Sequence, residues 1–187
     1  MIVAPSTPLP GFPKPRQAPS GEPVLSIPGY RLRPCRDADL PFLKRLYRHA
    51  RDAELARTGW PEEMKRAFCE QQFHAQHTDY LRRFPDADFL LILDRRDPVG
   101  RLYVDRGLDL HLVDISLLPQ RRGRGLGTAV LRALRALAME RGGGVVLSVA
   151  VDNPRAAALY HRMGFRHRAT DDTRHHLRWD PDPSATE

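Results

Sequence analysis

A short glycine-rich turn decides most of what this chain can become. Gln120-Arg121-Arg122-Gly123-Arg124-Gly125-Leu126-Gly127 lies between a strand pattern over Leu110 to Leu118 and a helix pattern over Thr128 to Arg141. In the helix pattern Val130, Leu131, Leu134, Leu137 and Ala138 share one face. A strand that turns directly into a helix commits the chain to an α/β architecture. It also leaves unpaired N–H groups at the positive end of a helix dipole, which is an anion site. Glycine lets an anion approach the backbone closely, and Arg121, Arg122 and Arg124 add positive charge.

The flanking segments extend the alternation. Tyr30 to Pro34 reads as a strand, and Asp37 to Arg51 as a helix with Leu40, Leu43, Leu46 and Tyr47 at helical spacing. Pro61-Glu62-Glu63 starts a second helix that runs to about Phe84. Ala87 to Leu93 and Val99 to Val104 read as an antiparallel pair around the turn at residues 94–97. Val145 to Val151 is an apolar run, expected to be a strand buried on both faces. Asn153-Pro154 caps and opens another helix that stops at Gly164, and the segments Phe165 to Arg168 and His175 to Trp179 close the sheet. The fold class expected is α/β, a single domain with a mixed sheet flanked by helices.

The expected domain spans residues 29–179. Ahead of it, residues 1–28 hold eight prolines and predict a disordered or extended arm. Its PxxP-like spacing suits a partner domain, but a solvated tail is the simpler reading. Residues 180–187 predict a short flexible tail. No apolar run approaches the length of about 20 residues that spans a bilayer, so no membrane association is expected. Cys35 and Cys69 are too few for a disulfide framework, no Cys/His spacing suggests a metal, and a cytoplasmic setting is expected. The formal net charge of +7 favours anionic partners, either a polyphosphate ligand or nucleic acid.

The identity of the anion is narrowed by the turn itself. The P-loop sequence with its Lys is absent. A dinucleotide-binding GxGxxG would need glycine at 128, where the chain has Thr128. Asp152 stands where a ribose-binding acid could sit, yet the preceding strands form an antiparallel meander, which that fold does not begin with. The segment from Val113 to Thr128 instead resembles the central motif of the GNAT superfamily of acetyl-CoA-dependent N-acetyltransferases, Gln/Arg-x-x-Gly-x-Gly/Ala, here Gln120-x-x-Gly123-x-Gly125. The segment Val151 to Phe165 resembles the family's next motif, Asn-x-x-Ala-x-x-Leu-Tyr-x-x-x-Gly-Phe. The resemblance covers about Tyr30 to Trp179.

This resemblance implies a mostly antiparallel sheet splayed at its centre, with acetyl-CoA as co-substrate. The pyrophosphate would sit on the backbone of Arg122, Gly123, Arg124, Gly125 and Gly127, with Thr128 as a hydroxyl donor. The pantetheine arm would pair with backbone at Ile115 and Leu117, and Asn153 would lie near the cofactor while also capping its helix. Tyr160, two helical turns beyond Asn153, is the expected general acid for the departing thiolate.

The base is less defined, because many family members place a Glu on the strand before the turn and this strand has none. Asp114 is the first choice and His111 the second. Strict alternation puts these two on opposite faces unless a bulge intervenes. The acceptor, an amine of unspecified identity, would meet residues such as Trp60, Gln71, Gln72, His74 and His77. A homodimer is compatible with this reading. Two rival readings are a non-catalytic acyl-CoA binder, which the missing Glu favours, and a basic nucleic-acid binder. The second is disfavoured because the Arg-Gly segment is not in a disordered tract and aromatics make up only 7% of the chain.

Overall fold

The computed structural model describes residues 8–16, 20–22 and 24–182. Seven strands form one sheet: β1 (Arg31–Pro34), β2 (Asp88–Asp94), β3 (Asp97–Arg106), β4 (Leu110–Leu117), β5 (Val145–Ala150), β6 (Arg166–Thr170) and β7 (Arg174–Trp179). Four helices flank it: α1 (Leu40–Leu55), α2 (Glu62–Arg83), α3 (Leu126–Glu140) and α4 (Pro154–Arg162). The strand order is β1-β2-β3-β4-β5-β7-β6. Among the described residues only the β4–β5 pair is parallel. The crossover through α3 supplies that parallel step, since two parallel strands cannot be joined by a tight hairpin.

Each face of the sheet carries its own core. On one side Leu43, Leu46, Tyr47 and Phe73 of α1 and α2 pack on Phe89, Leu91 and Tyr103 of β2 and β3. On the other, the α3 stripe of Val130, Leu131 and Leu134 packs on Leu102, Leu112 and Leu147. The stripe follows from apolar residues at helical spacing. Leu43, Leu46, Val130 and Leu134 are fully enclosed, and truncating such a leucine to alanine costs about 2–5 kcal/mol.

The chain departs from its sequence pattern at three places. β5 is buried on one face only: Val145, Leu147 and Val149 are inside, whereas Val146, Ser148 and Ala150 are half-buried. The apolar run therefore behaves as an alternating strand, and Ser148 marks the open side. The Pro-rich segment also contributes to the core, because Leu25 and Ile27 are buried beneath the α3 face, and residues 8–16 lie extended against the opposite side. The prolines at 5, 19 and 23 and the end of the tail at 183–187 fall outside the described residues.

The third departure shapes the centre of the sheet. Tyr103 pairs with Asp114 and Val104 with Leu112, so Val113 is an extra residue in β4. Beyond it β4 turns away from β5. Their pairing ends at Leu112 opposite Leu147, although β4 continues to Leu117 and β5 to Ala150. A bulge bends and twists its strand in this way, and the result is a sheet splayed at its centre.

Candidate active site

The Gly-rich turn sits at the open end of the splay. A 3-10 turn over Pro119–Arg121 leads into it, and Gly123 and Gly125 adopt φ of 71° and 84°. An L side chain strains the backbone at such angles, so the two glycines allow the strand to enter α3 without a longer loop. The first helical bond runs from the N–H of Ala129 to the carbonyl of Gly125, 2.9 Å away. The N–H groups of residues 123–128 have no hydrogen-bond partner among the described residues, which is the exposed helix start that an anion requires. Arg122 and Arg155 approach each other there, and a Cβ on Gly123 would come within 3.2 Å of the Arg155 guanidinium.

From this turn a furrow runs back through the splay. Its outer part touches Arg122, Gly123, Gly125, Gly127, Thr128 and Asn153. Its inner part is walled by Asp114, Ile115, Leu117, Ser148, Tyr160 and Arg174. Ile115 and Leu117 border it from β4, while Arg124 does not line it. The Leu117 carbonyl already accepts from Arg122 Nε at 2.9 Å, which ties the splayed strand to the turn. The donor set fits coenzyme A: a cationic, N–H-rich mouth for phosphates, then unpaired strand backbone for an amide-containing arm.

α4 brings its two motif residues to the same furrow. Asn153 Oδ1 accepts from the N–H of Ala156 at 3.1 Å, so it caps the helix and lines the site together. Tyr160 is buried, lies against Phe165 at 5.9 Å, and reaches the inner furrow. Burial, and then the charge of Asp114, push its phenol up to about 12. It therefore stays protonated at neutral pH and is available as a donor.

The bulge at Val113 places Asp114 on the α1/α2 face, opposite Tyr103, and His111 meets Phe84 on that face as well. The two candidate bases are on one face, yet only Asp114 lines the furrow. Its carboxylate accepts from Arg101 Nε at 2.6 Å and from the Ser116 hydroxyl at 3.2 Å. Arg101 is 2% exposed and also donates to Gln76 at 2.6 Å. The Asp114 carboxylate is thus the counter-ion of a buried guanidinium. Burial lowers the His111 imidazole, and its ring packs edge-on to Phe84 at 5.2 Å.

The residues expected on the acceptor side are largely elsewhere. Trp60 packs edge-on to Phe68 at 5.4 Å, and His77 is buried against Phe73 and Phe12. Gln71 is exposed, and Gln72 and His74 are half-buried. α2 instead offers Gln76 and Tyr80 to the furrow. Gln76 is one helical turn from Gln72 and Tyr80 one turn from His77, so the helix itself was legible but the angle of its docked face was not.

Comparison with known proteins agrees with this architecture. Residues 43–165 match the acetyltransferase (GNAT) family. Among solved structures, the PaiA N-acetyltransferase of Thermoplasma acidophilum in complex with coenzyme A aligns at a TM-score of 0.61 and 17% identity, covering 80% of this chain and 97% of its own. An acetyltransferase of Thermus thermophilus aligns at 0.62 and 21% identity, covering 82% and 97%. A chimeric spermidine N-acetyltransferase from Vibrio cholerae and hSSAT aligns at 0.55 and 18% identity, covering 80% and 94%. No curated protein sequence matches the chain.

Proposed function

The chain belongs to the acetyltransferase (GNAT) family, and we propose that it moves an acetyl group from acetyl-CoA to a primary amine by direct attack in a ternary complex. The observation that carries this reading is the single furrow joining the Gly-rich turn to Tyr160 through the splay between β4 and β5. Arg122, Gly123, Gly125, Gly127 and Thr128 hold the phosphates, with Arg124 adding charge at the rim. Backbone at Ile115 and Leu117 orients the arm. Tyr160 donates to the sulfur as the thioester breaks, a role worth about 10²–10⁴-fold for a positioned acid. Asp114 keeps Arg101 neutralised beneath the reacting centre.

The coenzyme A of the Thermoplasma N-acetyltransferase and the amine-directed name of the spermidine enzyme support the two halves of this reaction. The free Cys35 and Cys69 thiols suit a reducing compartment such as the cytoplasm. A second reading, an acyl-CoA binder without turnover, is favoured by one observation: the only carboxylate described in the inner furrow is locked to Arg101. Release of coenzyme A from acetyl-CoA, followed by a thiol reagent across a panel of small amines, peptide N-termini and lysine peptides, separates the two. Amine-dependent release is the expected result. Calorimetric binding of acetyl-CoA with no amine-dependent release would establish the binder instead.

A further inference from the structure

The furrow contains a second line of polar groups that the family motifs do not include. Ser148 on β5 and His176 on β7 stand directly opposite in the antiparallel register. Ser148 Oγ lies 2.8 Å from His176 Nδ1, and His176 Nε2 lies 2.8 Å from Asp171 Oδ2 in the turn between β6 and β7. Ser148 lines the inner furrow. His176 and Asp171 are behind it and reach solvent, with side chains 41% and 52% exposed.

One tautomer satisfies all these contacts. Asp171 can only accept, so His176 carries its proton on Nε2; Nδ1 then accepts from the Ser148 hydroxyl. Asp171 is itself fixed, because its Oδ1 takes the N–H groups of Thr173 and Arg174 at 2.9 and 2.8 Å. Those backbone bonds, and then His176, hold its carboxyl well below the usual range, so it remains an anion.

We infer that Ser148, His176 and Asp171 form the proton relay that deprotonates the acceptor amine. This inference rests on the transferase reading above. Ser148 is the catalytic residue, since its hydroxyl faces the substrate. His176 and Asp171 position it and take up the charge. An ammonium N–H gives its proton to Ser148 Oγ while the Ser148 proton passes to His176 Nδ1. The freed lone pair forms the N–C bond at the thioester carbonyl, and the C–S bond breaks with its electron pair on sulfur. Tyr160 protonates that sulfur and regains a proton from the new amide nitrogen. His176, now an imidazolium paired with Asp171, releases one proton to water, and exchange with solvent at its exposed side restores the neutral ring with its proton on Nε2. The amine thus loses two protons, one to the thiol and one to solvent.

The relay supplies a proton acceptor in the furrow apart from Asp114, whose carboxylate is engaged in the ion pair with Arg101. The charged and titratable groups around His176 are Asp171, His111 on β4, and Arg174 and Arg178 on its own strand. Its register partner on β6 is the uncharged Ala169.

The test compares Ser148→Ala, Ser148→Thr and Asp171→Asn with the parent chain, reading kcat/KM from pH 6 to 9.5 with an accepted amine. Calorimetric acetyl-CoA binding reports on folding. Asp171→Asn keeps the Oδ1 acceptor for the turn but presents an NH₂ to His176 Nε2, which forces the proton to Nδ1 and closes the relay. Ser148→Ala and Asp171→Asn are expected to lose about 100-fold at pH 7. The deficit should shrink toward pH 9.5, where free amine is already abundant, and Ser148→Thr should retain most activity. An active parent with Ser148→Ala equally active at every pH overturns the relay alone. So does an acetyl mass increase on Ser148 before amine is added, which would make Ser148 a nucleophile. A parent that consumes no amine overturns the transferase reading and the relay with it. If Ser148→Ala fails to bind acetyl-CoA, Asp171→Asn on the exposed turn decides the question.

Discussion

At the scale of single residues, Tyr160 and Arg101 are buried polar groups with opposite jobs. Tyr160 faces the furrow and has a phenol pushed up to about 12, so Tyr160→Phe removes a donor without changing shape. The expected result is a loss of about 100-fold in kcat with acetyl-CoA binding unchanged, measured by thiol release and calorimetry. Turnover equal to the parent would remove Tyr160 from the chemistry. Arg101, 2% exposed, holds Asp114 and Gln76 in place. Arg101→Met leaves Asp114 buried without its partner, and the cost expected is about 3–5 kcal/mol in urea denaturation. Adding Asp114→Asn should recover part of that loss, because the unpaired charge is then gone. Tyr160 was legible in the sequence because Asn153, Leu159 and Gly164 surround it at motif spacing. Arg101 and Ser148 were not. Asp114 and His176 reach them across strands whose register is set by the tertiary fold, and Ser148 looked like one small residue in an apolar run.

At the scale of elements, function depends on two irregularities in otherwise regular structure. The first is the positive φ of Gly123 and Gly125, which delivers α3 with its N–H groups open. No heavy atom lies within 4 Å of a Cβ built at Gly125, so the penalty there is conformational rather than steric. Gly125→Ala should therefore cost about 1–2 kcal/mol. Gly125→Asp adds a negative charge beside the phosphate site and should abolish acetyl-CoA binding by calorimetry. Equal binding by both variants would mean that the turn is not where the cofactor sits. The second irregularity is the extra residue Val113, which ends the pairing of β4 with β5 after Leu112. The glycines were visible as residue types. The bulge was not, because one added residue in an apolar strand leaves no compositional mark. It also decides which face Asp114 takes, so the reading of His111 and Asp114 as facing opposite ways depended on a feature that only the pairing register reveals.

At the scale of the whole molecule, the Pro-rich arm is held on both sides of the sheet. Leu25 and Ile27 lie in the α3 core, and Phe12 packs between His77 and Phe89 at 4.9 and 5.8 Å. The Phe12 N–H donates to Asp37 at 2.8 Å, and the Pro10 carbonyl accepts from His77 Nε2 at 2.9 Å. Proline content argued for a tail without a core, but a few apolar residues between prolines suffice when the chain runs extended along an existing surface. This docking links the arm to pH. Burial lowers the His77 imidazole below its usual 6.5, and the bond to Pro10 only partly offsets that. A His lowered on folding binds fewer protons in the native state, so its contribution is complete above 6.5 and is lost as pH falls toward the folded value. His77→Gln keeps a donor for Pro10 and cannot titrate. Between pH 7.5 and pH 5 the urea midpoint of the parent should fall more than that of His77→Gln, the difference isolating His77 from the carboxylates that both chains share. Truncation at residue 16 should reduce the same difference, because without Pro10 and Phe12 the imidazole reaches water. Parallel pH profiles for parent and His77→Gln would show that the arm is docked without any coupling to His77.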